Sequence, residues 1–224
     1  SGVSDDPRYD EQPFIDRMSA HLGCQVHKVP LAFAPEEAFQ LLSTITWFND
    51  EPVGSFSNVA HYLLMQEAKR LGVTVILSGQ GADELLCGYF KYLGFYLQSL
   101  LQKGKWRTAL KVLTSFVRQG TVIPQFRMQE AKRYLPRSLR PKEIDIRGPL
   151  LKQEIPVDVG LGGKGVEERQ SADLYRLSVP ALVHAEDRMS MASSREIRLP
   201  FLDHRLVDLL LPPPPEWKLR DGWT

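Results

Sequence analysis

The run Val73-Thr74-Val75-Ile76-Leu77, continued at once by Ser78-Gly79-Gln80-Gly81-Ala82-Asp83-Glu84, decides how this chain is read. Four of the first five residues are apolar and three are β-branched or longer aliphatics in unbroken sequence. Such a run fits a strand buried on both faces of a parallel sheet. Replacing Ile76 by Ala would then cost roughly 2–5 kcal/mol. In parallel α/β sheets, ligands gather at the carboxyl ends of strands, where Ser78 begins. Gly79 and Gly81, one residue apart, let backbone approach a ligand closely, and N–H groups in such a turn can hold phosphate oxygens. The carboxylates of Asp83 and Glu84 follow directly, where a Mg²⁺ bridging protein and nucleotide would need them. The same spacing equally fits a plain strand-to-helix turn, with glycines for geometry and acids placed by the helix N-terminus. Spacing alone leaves both readings open.

Upstream, helical and extended patterns alternate. Residues 10–22 carry Phe14, Ile15, Met18 and Leu22 at helical spacing, with Gly23 closing the helix. Residues 25–30 read as a short strand holding Val26 and Val29. Residues 35–48 read as a second helix, with Pro35 in its first turn and Phe39, Leu42, Ile45 and Phe48 on one face. Residues 57–71 read as a third, capped by Ser57 and ended by Gly72. Short connections between these segments argue α/β with a parallel sheet flanked by helices. Downstream the pattern becomes mostly helical. Helices break at Gly104, Gly120 and Pro124, and residues 136–165, with four prolines and five glycines, read as an irregular excursion. Residues 168–196 read as a long helix that Pro180 kinks or divides. A last helix over residues 203–211 stops at Pro212–Pro215, and no internal repeat is present.

Composition bounds the function only broadly. The chain has 224 residues, 43% apolar and 25% charged, the profile of one soluble globular domain. A formal net charge of +1 supplies no global field for nucleic acid or an anionic membrane. No apolar run approaches the ~20 residues that span a bilayer. Residues 1–10 carry no signal-peptide pattern. Cys24 and Cys87 form no C-x-x-C or metal spacing, and two cysteines in this length fit a reducing cytoplasm. We expect both to be small buried hydrophobes.

Two distant motifs then carry a resemblance. Residues 77–89, LSGQGADELLCGY, and residues 186–203, EDRMSMASSREIRLPFLD, resemble the two signatures of the asparagine synthetase family. Asp50-Glu51-Pro52 is a looser third match, and the three fall in the family's order over essentially the whole chain. The resemblance implies an adenine nucleotide α-hydrolase-like sheet and residues 1–224 as part of one ATP-using synthetase domain. It implies amidation of aspartate to asparagine through a β-aspartyl-AMP, with ATP and Mg²⁺ as cofactors and ammonia from glutamine. Carried over, Ser78, Gly79 and Gly81 would bind the adenylate, and Asp83 would hold Mg²⁺. Gln80 and Glu84 are the candidates for catalytic positions. An amide at 80 can orient a substrate by hydrogen bonds but cannot transfer a proton. Loop ordering is the competing role for Glu84. Arg188, Glu196, Arg198 and Asp203 are expected to brace the site as an ion-pair network, and Lys91 to lie on a solvated face.

The resemblance also marks what is not in this sequence. The family's S-G-G-x-D-S-S pyrophosphate loop, its C-terminal catalytic lysine and the N-terminal glutaminase domain with its cysteine nucleophile are absent. The reading is therefore a partial domain, expected to be inactive alone and partnered by a glutaminase domain in the full-length chain. A homodimer is compatible with it, and no nucleic acid or membrane partner is implied. Gln80 departs from the Glu common at that position, and counts against a branch whose base there is tyrosine. Two other classes stay open: an amidotransferase acting on a sugar acid or peptide carboxylate, and a non-catalytic nucleotide-binding relative.

Overall fold

The computed structural model describes residues 2–3, 12–30, 34–53, 57–123 and 165–224. The expected excursion over residues 136–165 lies outside them except for Gly165. The described residues are mostly helical, with two pairs of parallel strands, an α/β arrangement. They form two compact units. One comprises Ser1–Ser78 with Ala181–Pro200, and the other Gly79–Pro180 with Phe201–Thr224.

In the first unit, β1 (Gly2–Val3) pairs with β2 (Val29–Pro30) in parallel. Between them lies α1 (Gln12–Leu22), which ends at Gly23 in the left-handed region, φ +63°. Its apolar stripe is uncovered, with Phe14, Met18 and Leu22 all exposed. The helix α2 (Pro35–Asn49) starts with Pro at its first turn, and the Glu37 carboxylate accepts the Ala34 N–H at 3.0 Å. Its buried face is centred on Ile45, which packs with Val59 and Met189 and with Leu41 and Leu42. Phe39, expected on that face, is exposed, because Phe39 to Phe48 at steps of three drifts around a helix of 3.6 residues per turn. The helix α3 (Ser57–Arg70) ends as the sequence predicts. Gly72 adopts φ +73°, its N–H donates to the Lys69 carbonyl at 3.1 Å, and the Val73 N–H donates to that of Ala68 at 2.9 Å. Both bonds of a Schellman stop are present.

The central-strand expectation does not hold. The strand β3 is only Val75–Leu77, and it pairs in parallel with one partner, β4 (Glu196–Arg198). Ile76 is half-buried, while Val75 and Leu77 are exposed, Leu77 at 72%. Among the described residues the ribbon has two strands and no layer that covers both faces, so an apolar run supplies the capacity for burial without the burial. Glu196 is accordingly strand and not the end of the helix expected over 168–196. That helix is divided into α7 (Val166–Ala172), a π-helical turn (Asp173–Leu177) and α8 (Val179–Met191), with Pro180 in the first turn of α8.

In the second unit, α4 (Ala82–Leu86), α5 (Phe90–Gln102) and α6 (Trp106–Gln119) follow the motif. Gly104 and Gly120 stop α5 and α6 with positive φ, as expected. The core is built on α5: Tyr92, Leu93, Phe95, Tyr96 and Leu100 pack with Ala109, Phe116, Val122, Val166 and Leu219. The chain ends through α9 (His204–Leu210) and α10 (Pro215–Lys218). Asp203 caps α9 by accepting the Arg205 N–H at 2.9 Å. The final helix was not anticipated, because a proline run reads as a stop although Pro215 can open a helix at its first position.

Candidate functional site

The motif turn is built by the backbone. Ser78 closes the first unit, its N–H donating to the Arg198 carbonyl at 2.9 Å and so extending the β3–β4 ladder by one bond. In the second unit, the Gly79 carbonyl accepts the Ala82 N–H at 3.2 Å, and the Gly81 carbonyl accepts the Leu85 N–H at 3.1 Å. The two glycines have different physical causes. Gly81 sits at φ +89°, and a Cβ there would collide with the Leu202 side chain, so the fold itself demands glycine. Gly79 has no positive φ, and a Cβ there would meet nothing within 4 Å. Its open side leaves room for a ligand to reach the backbone. Gln80 is half-buried.

The adjacent carboxylates are divided by the short helix α4. Asp83 is exposed, and Gly88 lies against it so closely that any Cβ at 88 would collide with its Oδ1. The Gly88 N–H also donates to the Asp83 carbonyl at 2.9 Å. The phenol of Tyr89 is pushed above the usual tyrosine range, first by burial and then by the charges of Glu84 and Asp83. It therefore remains a protonated donor beside the acids. Gly88 and Tyr89 close the sequence motif, and that is the signal that could have marked them as Asp83-positioning residues.

Glu84 points the other way. It is 1% exposed, and its Oε1 accepts the Ser178 hydroxyl at 2.7 Å. Its Oε2 is buried without a hydrogen-bond partner. The Glu84 and Leu85 carbonyls accept the Gln170 side-chain amide at 2.7 and 3.0 Å. The Gln170 carbonyl in turn accepts Lys218 Nζ at 3.1 Å. These bonds tie α4 to α7 and to the C-terminal segment, which makes Glu84 an anchor of the turn.

Next to it lies a buried ionic cluster that sequence reasoning missed. Asp173 is fully buried and accepts Arg169 Nη2 at 2.7 Å, Lys91 Nζ at 2.8 Å and the Tyr92 hydroxyl at 2.9 Å. Burial alone would raise the Asp173 carboxyl, but hydrogen bonds from Arg169 and Lys91 hold it below the usual range. Lys91 is thus not on a solvated face, since its side chain is only 14% exposed. Asp173 continues the α-helical backbone of α7 at its end, one turn beyond Arg169, where it meets Lys91 and Tyr92 of α5. The i,i+4 pair Arg169–Asp173 was the available signal.

The expected network of Arg188, Glu196, Arg198 and Asp203 is not formed as such. Arg188 pairs with Asp50 at 3.3 Å, Glu196 with Arg198 at 2.7 Å, and Asp203 with Arg205 at 2.7 Å. These are separate, largely exposed pairs, because Glu196 and Arg198 point to the same side of a short strand at spacing two. The Arg188–Asp50 pair does join two of the sequence motifs. Among the described residues, no three His, Cys, Asp or Glu side chains converge as a metal cage, and no helix is long and apolar enough to cross a membrane.

An open glycine and an exposed carboxylate thus lie on one turn that follows a parallel strand in sequence. The asparagine synthase family model matches residues 1–224, and the chain belongs to that family. It is 27% identical to asparagine synthetase [glutamine-hydrolyzing] 1 of Bacillus subtilis, over 96% of this chain and 36% of that protein. It is 29% identical to a putative asparagine synthetase [glutamine-hydrolyzing] of Mycobacterium tuberculosis, over 75% of this chain and 28% of that one. A putative asparagine synthetase [glutamine-hydrolyzing] 2 of Methanocaldococcus jannaschii is 32% identical over 43% of this chain. The chain spans about a third of the length of the B. subtilis relative.

Proposed function

We propose that this chain is part of the ATP-using domain of an enzyme that amidates aspartate to asparagine, with ammonia released from glutamine in a separate domain. The observation that carries the reading is the pairing of open backbone at Gly79 with exposed Asp83 on one turn, in a chain matched end to end by the family. The completed domain would have the adenine nucleotide α-hydrolase-like sheet, with Ser78 and Gly79 lining the adenylate. Gly81 shapes the turn.

Asp83 would hold Mg²⁺. The fit is good because magnesium takes one or two carboxylates and completes its shell with substrate phosphates and water, without an all-protein cage. When bound, the ion neutralises phosphate charge. The chain's own residues do the rest. Gly88 and Tyr89 fix the Asp83 carboxylate, Ser178 and Gln170 fix α4, and Gln80 would orient a substrate carboxylate or amide by hydrogen bonds. Attack of the aspartate carboxylate on the α-phosphorus gives β-aspartyl-AMP and pyrophosphate, and ammonia then displaces AMP.

The test is Asp83→Asn in the full-length protein. Pyrophosphate release should fall by at least about 100-fold, the scale of one lost transition-state contact, with glutamine hydrolysis preserved. Both activities are measured on one preparation across a magnesium series. A near-normal rate of pyrophosphate release would leave Asp83 as a turn-ordering residue and defeat the assignment.

A further inference from the structure

Lys91 is one cation more than its surroundings need. Arg169 meets Asp173 with two bonds, Nε to Oδ2 at 2.9 Å and Nη2 to Oδ1 at 2.7 Å, which already balances that buried carboxylate. Lys91 adds a second positive charge, its Nζ 2.8 Å from Oδ2. It does so from the second position of α5, where the helix dipole disfavours a cation. Charge balance and helix formation therefore both leave this lysine unexplained.

Its other neighbours are aromatic. Nζ lies 4.9 Å from the centroid of the Tyr89 ring and 5.1 Å from that of the Tyr92 ring, and the two centroids are 6.3 Å apart. The Tyr92 hydroxyl donates to Asp173 at 2.9 Å, so the ammonium and the Tyr92 ring are held from the same buried carboxylate. Tyr89 reaches the other way, its hydroxyl donating a hydrogen bond to the Asp83 carboxylate. Asp173, Lys91, Tyr89 and Asp83 thus form a continuous line of contacts inside the second unit.

We propose, on the reading that Asp83 holds Mg²⁺, that Lys91 is a positioning residue for that carboxylate and acts through Tyr89. The ammonium is pinned by Asp173 and holds the Tyr89 ring by cation–π attraction. The ring carries the hydroxyl that fixes Asp83 from one side, while Gly88 lies close against it from another. A metal-holding carboxylate fixed beforehand surrenders little freedom when the ion arrives.

Manganese standing in for magnesium tests this in the full-length protein. Its binding is read from the relaxation of water protons, with an ATP analogue whose α–β bridge cannot be cleaved. Lys91→Met should weaken manganese about tenfold, the scale of one desolvated cation–π contact. Tyr89→Phe removes only the hydroxyl and should weaken it to a similar extent, which tests the line even where Lys91→Met does not fold. The double variant should bind no worse than Tyr89→Phe, because both changes break the same line. Lys91→Arg keeps a cation that stacks on aromatic faces and should bind within about twofold of the parent. A lysine that served the fold alone would lower the urea midpoint and leave the manganese affinity of folded protein unchanged. That result overturns the proposal, as do parent-like binding by Tyr89→Phe, an additive loss in the double variant, or no rescue by Lys91→Arg. Asp83→Asn separates the two assignments. If it binds manganese like the parent, the magnesium reading falls and takes the role of Lys91 with it. If it loses manganese while Lys91→Met keeps it, only the role of Lys91 falls.

Discussion

The strand β3 and the helix α5 both carry apolar sequence, yet only α5 is buried. Val75 and Leu77 are exposed on a two-stranded ribbon, whereas Tyr92, Leu93, Phe95, Tyr96 and Leu100 of α5 are all buried. The difference is in what surrounds them. The helix α5 is met by α6, α7 and the C-terminal segment within its own unit, so its apolar face is removed from water. Among the described residues the strand has a single paired neighbour, and Val75 and Leu77 keep their solvent. Periodicity reports which face of an element is apolar. Cover has to come from other parts of the chain, and local sequence says nothing of it.

The strongest way to break the comparison is to attack the ionic cluster that pins α5. Asp173→Ala would take the carboxylate away from the buried Arg169 and Lys91 cations, at an expected cost of about 3–5 kcal/mol. Urea unfolding measures it. Lys91→Met should cost clearly less, because Asp173 keeps both bonds from Arg169. Equal stability of Asp173→Ala and the parent would show that the cluster is not a structural tie.

A pair of matched truncations sharpens the comparison further. Leu93→Ala should cost about 2–5 kcal/mol, since Leu93 is fully buried. Ile76→Ala should cost only about 1 kcal/mol, since Ile76 is half-buried on an uncovered ribbon. This replaces the larger value that the sequence alone implied for Ile76. Equal losses from both would mean that β3 is covered after all.

Local features were the most legible in sequence. The Gly72 stop, the division at Pro180 and the helix breaks at Gly104 and Gly120 each follow from one residue's backbone chemistry, and each is present. The family was legible because two long motifs, residues 77–89 and 186–203, occur in order. What stayed hidden depends on partners distant in sequence. Ser178 holds Glu84 from 94 residues away, and Lys91 meets Asp173 across 82 positions that include residues 124–164. Neither pairing has a periodic signature. The roles of the two acids in the motif were ambiguous for the same reason, since only the fold turns Asp83 outward and Glu84 inward.

The smallest expected effect concerns the two thiols, one in each unit. Cys24 follows α1 and is exposed, contrary to the expectation that both cysteines are buried, whereas Cys87 is fully buried in the α5 core. Burial pushes the Cys87 thiol up to about 12 from an ordinary 9.0, with only a partial opposing pull from Lys218. Native protein at mildly alkaline pH should therefore release one equivalent of chromophore from a disulfide reagent quickly, from Cys24. The second should appear only on denaturation. The linkage has a definite sign. Because the folded thiol holds its proton more tightly than the unfolded one, its contribution to stability is fully present below about pH 9. That contribution is lost as pH rises toward about 12. Tyr89 and Tyr92, also raised by burial, lose stability in the same direction, so Cys87→Ala should flatten the alkaline decline without abolishing it. Urea midpoints of the two proteins across that range measure the slope. Rapid reaction of both thiols in the native protein would show that the α5 core opens readily to solvent, and the burial assigned to Cys87 would fail.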